Sequence, residues 1–532
     1  MDSGDAQRAR DRIYSADWRA WQDPAVPESF NPTTYLLDRH AANTRPALYV
    51  DDASYSYGDL LAASCRAAHA LTALGLEPEN RILFFGTDSL DYIALWLGAV
   101  RAGIVPAVVS DQYKADGLLY FLNDTAAKAL FIDDEHLPKL EEIKSRAPAG
   151  LRHVIRRSDV AKLTADKPAA FDPVPRHSND MAYMFYSGGT TGTAKGIVHL
   201  AHDFVLIPAR QGAFWDYAAD DVVHATSKKY FTHGLWPGVL IPLSYGATAV
   251  ISREPPTPDN ICRIVAQRGV TKLITVPTIV KGLMLHAEAA KPDFASVKLV
   301  ITASEKMPPE IFAKFHATFG VELHDSIGSS EITYEWIANR PREFRRGSLG
   351  KPVFGYEVRL VDADGNQVIE PNVDGEAWIK SSTACFYYWR KFDKTKETFI
   401  GAWTRTGDTL RFDEDGFFWF SGRADDVFKV KGLWVSPIEV EAAITDHLSV
   451  LEAAVIGVAD KDGLTKPKAY VVLRPGHAPS DALADALRAN VRKVGGYKVP
   501  EHIVFVASLP RTTLMKIDRR ALRQAEQPSR SS

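Results

Sequence analysis

Short apolar runs rich in β-branched and aromatic residues recur along the chain: RILFF (81–85), KALFI (128–132), AYMFY (182–186), TAVIS (248–252), KLITVP (272–277) and KLVITAS (298–304). Between them, segments such as Asp59–Leu74 and Ile261–Gln267 carry apolar residues at helical spacing. That alternation predicts α/β layers with substantially parallel sheets. The stretch from Tyr92 to Val109 is interrupted by Arg101 and Pro106, so it reads as a helix followed by a buried strand rather than a bilayer span. From about residue 345 the texture changes to glycine-punctuated short strands, YEVRLVDADGNQV (356–368) and GEAWIKS (375–381), in which the DG pair signals a turn. After SGRADDVFKVKG (421–432) the strands AAVIGV, AYVVL and HIVFVAS lie among helices. The predicted fold is α/β. A large N-terminal body of layered α/β sheets spans 1–424, with a β-rich subdomain over about 345–424, and a small mobile α+β C-terminal domain spans 425–532. No internal repeat is present, and the polar tail EQPSRSS is expected to fray.

Composition narrows the function classes. Over 532 residues, 63 Lys+Arg face 66 Asp+Glu, a net charge of −3, which argues against nucleic acid as a partner held by charge. A hydrophobic share of 46% with 24% charged residues is ordinary globular composition and excludes fibrous and disordered classes. Cys65, Cys262 and Cys385 are far apart and offer neither a CxxC pair nor a disulfide framework. Three reduced cysteines in a cytoplasmic protein are expected. The start, MDSGDAQRARDR, lacks the apolar core of a signal peptide, so neither export nor a membrane is expected.

The sharpest local signal is YSGGTTGTAKG (186–196), directly after the apolar run AYMF. Glycines let the backbone approach a polyphosphate, Ser187, Thr190 and Thr191 bring hydroxyls, and Lys195 brings positive charge. It is a phosphate loop by chemistry. It lacks the Gly-Lys-Ser/Thr ending of GxxxxGK[ST], so it is no Walker loop, and alone it would read as a surface loop.

Four further motifs follow in order: DSIGSSE (325–331), TGD (406–408), SGRADD (421–426) and LPRTTLMKIDR (509–519). Together with the glycine-rich loop they resemble the acyl- and aryl-CoA synthetases of the adenylate-forming, AMP-binding superfamily. The resemblance runs from SYSYGDL (54–60) to Arg519. The patterns SKKYFTHGLW (227–236), VPT (276–278) and KGLWVSPIEVE (431–441) are most similar to the benzoate-CoA ligase group. The resemblance implies ATP, Mg2+ and CoA. A carboxylate attacks the α-phosphorus of ATP, pyrophosphate leaves, and the acyl-adenylate passes to the CoA thiol. The protein's task is chiefly to position groups and neutralise charge.

Residue by residue, the resemblance makes Glu331 the magnesium-binding carboxylate and Lys516 the lysine bridging the reacting carboxylate and the α-phosphate, with Thr191 and Lys195 beside the phosphates. Ser187, Gly188, Gly189, Thr190 and Gly192 complete the phosphate loop. Asp325, Ser326, Ile327 and Ser330, with Ser304 and Glu305, match the nucleotide-lining stretches, while Asp408 and Arg423 match the ribose contacts. Asp425 matches the hinge about which the C-terminal domain turns, bringing Lys429 and Gly432 to the thioester step. The chain departs from the family at Met515, where glycine is usual before the lysine.

The same resemblance lines the acid pocket with Thr232, His233, Trp236, Ala303, Ser304, Gly328, Tyr334 and Glu335, with Phe231 as gate to the thiol tunnel. Trp236 and Tyr334 would make it short, which favours an aryl or small cyclic acid. His233, Ser304, Tyr334 and Glu335 are polar, and burying each without a partner costs roughly 1–3 kcal/mol, so a hydroxyl or amino group on the ring is expected to meet some of them. The competing expectation has Glu335 facing outward and paired with an arginine. Two alternatives stay open: an adenylating enzyme that loads a carrier-protein phosphopantetheine, and a nucleotide-binding regulatory homologue weakened by Met515. The sequence leaves open a monomer or a homodimer.

Overall fold

The computed structural model describes every residue except 1–2, 188–193, 291, 304–306, 308, 424–425, 427, 431–432, 461–463, 513–516 and 527–532. Each of the six apolar runs forms a strand, the longest being Met181–Ser187. The run from Tyr92 to Val109 divides into the helix Leu90–Arg101 and the buried strand Val105–Val108. The helix over Asp59–Leu74 begins at Tyr57 because Ser56 and Asp59 close a reciprocal capping box, a local stop signal of about 1 kcal/mol.

Two large sheets carry most of the chain. In the seven-stranded sheet, Met181–Ser187, Val105–Val108, Arg81–Phe85, Ala129–Ile132 and His153–Arg156 run parallel, and Lys195–Leu200 and Tyr387–Trp389 extend one side antiparallel. In the nine-stranded sheet, the parallel interior runs Leu323–Gly328, Leu299–Thr302, Lys272–Thr275, Val222–Ala225, Thr248–Ile251 and Pro46–Val50. Its antiparallel neighbour Glu335–Ala338 turns back along Leu323–Gly328. Strands buried on both faces explain the continuous apolar runs.

The region after 345 is antiparallel, as the turn signals predict. Glu357–Val361, Gly375–Lys380 and Trp403–Phe412 pair in succession, and Phe418–Arg423 pairs with the last of these. Beyond it, Val450–Ala459, Thr465–Leu473 and His502–Phe505 form a three-stranded sheet with the helices Pro437–Thr445 and Asp481–Val494. The two apolar clusters of this last sheet draw only on residues from Phe428 onward.

The N-terminal segment is built into the body. The Tyr14 hydroxyl donates to the Val358 carbonyl at 3.1 Å and accepts from the Val358 N–H at 2.7 Å, and the Trp18 indole donates to the Val353 carbonyl at 3.0 Å. Arg210, 1% exposed, donates from Nε to Asp23 at 2.7 Å and from its other nitrogens to Ser381 and Ser382. An unpaired charge at that depth would be strongly destabilising.

Candidate active site

The strands flanking the glycine-rich segment pair as a hairpin. Ser187 pairs with Lys195 and Tyr186 with Gly196 across the antiparallel strands. Gly188, Gly189, Thr190, Thr191 and Gly192 lie outside the described residues. Ser187 has a buried hydroxyl with no hydrogen-bond partner among the described residues.

Lys195, at the far foot of this hairpin, meets Glu331. The Lys195 ammonium is 3.9 Å from Glu331 Oε1 and 4.4 Å from the centre of the Tyr388 ring, and it donates to the Tyr388 hydroxyl at 3.3 Å. That hydroxyl donates to Glu331 Oε1 at 2.7 Å. Burial pushes the Lys195 ammonium below the ordinary lysine range, while Glu331 pulls it back up. Tyr388 escapes the sequence reading because its place depends on the pairing of Tyr387–Trp389 with a strand nearly two hundred positions earlier. No group of three or more His, Cys, Asp or Glu side chains capable of holding a metal occurs among the described residues. One carboxylate beside one lysine does fit a hard divalent cation whose other ligands are phosphate oxygens and water.

A tight turn carries Glu331. The Ile332 N–H donates to the Ser329 carbonyl and the Ser329 N–H to the Tyr334 carbonyl, so the chain doubles back between the strands Leu323–Gly328 and Glu335–Ala338. Gly328 is required there, because a Cβ would lie 2.4 Å from the Tyr334 carbonyl oxygen. Thr333 adopts φ +83°, a left-handed conformation that costs a β-branched residue about 1–3 kcal/mol.

Four residues beyond Glu331, Glu335 is 1% exposed. It accepts a hydrogen bond from Ser326 Oγ at 2.7 Å through Oε1, while Oε2 has no partner of good geometry among the described residues. Burial pushes its carboxyl up to about 8, against the opposing pull of Ser326, Tyr334 and Trp215. The outward-facing arrangement with an arginine is therefore not the one adopted. His233 faces it, with Nδ1 3.8 Å from Glu335 Oε1 and Nε2 3.1 Å from the Thr275 carbonyl. Burial pushes the His233 imidazole down to about 4, so it is neutral at physiological pH. The Tyr334 ring lies 5.8 Å from that of His233, and its hydroxyl has no hydrogen-bond partner among the described residues.

Of the other pocket residues, Ala303 and Thr232 are buried, and Phe231 is 37% exposed with its ring 4.8 Å from Tyr230. Trp236 is fully buried against Tyr183 and Phe204. Asp325 is buried within the strand Leu323–Gly328, accepts the Ser326 N–H, and is pushed far up by burial. Ile327 and Ser330 are half-buried. Asp408 and Arg423 are register partners, and the Arg423 guanidinium donates to Asp408 Oδ1 at 2.7 Å. Ser304, Glu305, Asp425, Gly432, Met515 and Lys516 lie outside the described residues, as does the side chain of Lys429.

Thr275, Ala303 and Asp325–Gly328 all occupy the carboxyl ends of the parallel strands of the nine-stranded sheet, where open α/β sheets place their ligands. The sequence signature of the AMP-binding enzyme family matches residues 37–389, and that of the AMP-binding enzyme C-terminal domain matches residues 439–516. The chain belongs to the AMP-binding enzyme family. It is 35% identical over 519 residues to a benzoate–CoA ligase of Thauera aromatica, covering 94% of this chain and 97% of that relative. To a 4-hydroxybenzoate–CoA/benzoate–CoA ligase of Rhodopseudomonas palustris it is 35% identical over 508 residues, covering 93% and 94%. The crystal structure of the anthranilate CoA ligase AuaEII in complex with anthranoyl-AMP superposes with a TM-score of 0.88 at 32% identity, over 94% of this chain and 98% of that one. No helix among the described residues is long and apolar enough to cross a membrane.

Proposed function

We propose that this acid–thiol ligase is an AMP-forming aryl-acid–CoA ligase whose preferred acid carries a hydroxyl or amino group on its ring. The observation that supports it is the placement of two unlike carboxylates on either side of one turn. Glu331 sits with Lys195 and Tyr388 below the glycine-rich hairpin, and Glu335 sits with His233 and Tyr334 in the buried polar pocket. The benzoate, hydroxybenzoate and anthranilate ligases among its relatives support the same class of acid.

The substrates are ATP, a small carboxylic acid and CoA. The acid's oxygen attacks the α-phosphorus of ATP and pyrophosphate departs. The thiol then attacks the acyl carbon and AMP departs. Adenylation is needed because oxide is a hopeless leaving group and AMP a good one. Lys195 neutralises phosphate charge, Glu331 would hold Mg2+ together with phosphate oxygens, and the magnesium supplies charge neutralisation on the triphosphate. Asp408, oriented by Arg423, accepts the ribose hydroxyls, and Lys516 takes the bridging role that the family resemblance gives it. Residues 425–532 form the mobile domain, turning about Asp425 so that Lys429 and Gly432 serve the second step.

In the acid pocket, Glu335 holds its proton at physiological pH and so both donates and accepts. A ring hydroxyl or amine would partner Glu335 Oε2 or the Tyr334 hydroxyl, the two groups buried there without one. Release of AMP and pyrophosphate is measured with ATP, Mg2+ and a panel of benzoate, hydroxybenzoates, aminobenzoates and short aliphatic acids, with and without CoA. CoA-dependent AMP from a substituted aryl acid is expected. Pyrophosphate exchange with no turnover of CoA would transfer the acceptor role to a carrier protein, and silence across the panel with ATP still bound would overturn the proposal.

A further inference from the structure

A fully buried polar network lies behind the turn that carries Glu331. His199, Asp203, Tyr183 and Thr333 are each no more than 1% exposed. His199 is four positions beyond Lys195 on the same strand, and Asp203 opens the helix Asp203–Phe214. The imidazole is stacked on the Tyr183 ring, with centroids 4.9 Å apart and planes 6° apart. Its Nε2 is 2.8 Å from the Ser330 carbonyl oxygen. A carbonyl only accepts, so Nε2 carries a proton and donates it. Its Nδ1 lies 3.0 Å from Asp203 Oδ2 and 3.1 Å from Thr333 Oγ1. Asp203 Oδ2 also accepts from the Tyr183 hydroxyl at 2.8 Å.

Every contact of this network with the turn falls within two positions of Glu331. His199 holds the carbonyl before it, and the Thr333 hydroxyl joins the imidazole two positions after it. From another direction, the Cys385 N–H donates to the Glu331 carbonyl at 2.7 Å. Thr333 is held in a left-handed conformation that persists only where the surroundings over-determine it, and such strain gathers at functional sites. A stable fold alone has no need of four buried polar side chains around one turn, since an apolar set of equal volume would serve.

We propose that His199, packed against Tyr183, Asp203 and Thr333, is a positioning residue for Glu331: by holding the Ser330 carbonyl it fixes the strained turn that aims the carboxylate at the cation and phosphates. This rests on the reading of Glu331 given above. His199 touches no substrate, so its loss tells on the step that needs magnesium and ATP and spares the step that needs only the finished acyl-adenylate.

The test uses the full-length enzyme with three variants. His199→Leu keeps the volume and removes the donor, His199→Gln restores an N–H able to reach the carbonyl, and Thr333→Val removes only the hydroxyl. Four quantities are read: pyrophosphate exchange as a function of Mg2+, calorimetric binding of ATP with Mg2+, thioester formation from supplied acyl-adenylate and CoA, and thermal melting. For His199→Leu, the Mg2+ requirement and the dissociation constant of Mg·ATP rise by about 10- to 100-fold, as for loss of a residue that orients a metal ligand. Thioester formation stays within about twofold, His199→Gln recovers most of the loss, and Thr333→Val shifts the Mg2+ requirement in the same direction by less. Equal loss in both half-reactions, or an unchanged Mg2+ requirement in folded His199→Leu, overturns the inference. If His199→Leu fails to fold, an unchanged Mg2+ requirement in Thr333→Val does so instead. Glu331→Gln is run alongside: no shift there defeats the reading of Glu331 itself, whereas a shift there with none in the His199 variants defeats only this inference.

Discussion

Glu331 and Glu335 are the same residue type four positions apart, yet their surroundings differ in every respect. Glu331 is half-buried, with an ammonium 3.9 Å away and a phenol donating to it. Glu335 is sealed in, takes one hydrogen bond from a serine, and keeps its proton up to about pH 8. One carboxyl is dressed to meet positive charge and the other to meet a neutral polar group. A single turn thus separates a carboxylate paired with an ammonium from a carboxyl sealed among neutral polar groups, the contrast on which the proposed division between phosphate and ring recognition rests.

Four experiments break or sharpen that contrast. The largest effect is expected from Glu331→Gln, which should cut pyrophosphate exchange by about 100-fold or more, the scale of losing one electrostatic stabiliser of a developing charge. Excess Mg2+ should recover only part of it. A variant that exchanged normally would remove Glu331 from the chemistry.

Next is Glu335→Gln, which should leave benzoate activity nearly intact while the preference for hydroxy- or aminobenzoates over benzoate shifts by about 10- to 100-fold, because recognition of a polar substituent depends on a matched buried partner. Competition between paired acids in one reaction measures the ratio. An unchanged ratio would make Glu335 a bystander.

The third concerns pH. An ordinary glutamate releases its proton near 4.5 and Glu335 near 8, so across that window the native state binds more protons than the unfolded chain, and stability falls as pH rises through it. The integrated contribution is on the order of a few kcal/mol. His224, His233 and His324 are each pushed down to about 4 and act in the opposite sense below 6.5, so the effect is read as a difference. Urea midpoints of the wild type minus those of Glu335→Gln should decline from pH 5 to pH 8, and a flat difference would refute the buried, protonated carboxyl.

The smallest effect is expected from Tyr388→Phe. It keeps the ring under Lys195 and removes the donor to Glu331, a bond to a charged group worth about 1.5–3 kcal/mol net, of which only the part that differs between the metal-free and metal-bound carboxylate reaches the Mg2+ requirement. About a threefold to tenfold rise in the Mg2+ requirement should follow, with no change in the preference among acids. A change in that preference would mean that the turn does not insulate the two sites.

These contrasts were legible in the sequence only in part. The α/β layering and the β-rich stretch were readable because strands buried on both faces must be apolar throughout and hairpins must announce their turns. Lys195, Glu331, Asp408 and Arg423 were readable as a set, and the structure brings them together in pairs. Tyr388 was not, since a register between strands so distant in sequence has no local signature. His199 and Asp203 have helical spacing, yet one lies near the end of a strand and the other opens a helix, so their contact is made by the corner between them. The direction of Glu335 depends on the sharp reversal at Gly328, where a shift of one position would send it to the other face of the strand.

The anchorage of the N-terminal segment also bears on how the protein is made. Tyr14 finds its partner at Val358, 344 positions later. At about 5–20 residues per second, a ribosome needs roughly 20–70 s to deliver that partner. Through that interval the aromatic side chains of the first segment lack their partners at 353–358, and the guanidinium of Arg210, whose other partners Ser381 and Ser382 come later still, has only Asp23 to answer it. The segment around Tyr14 is therefore among the last to be locked. A bulky fusion at the amino end would burden assembly far more than catalysis, and its cost would appear as lost yield of folded enzyme rather than as a lower turnover number.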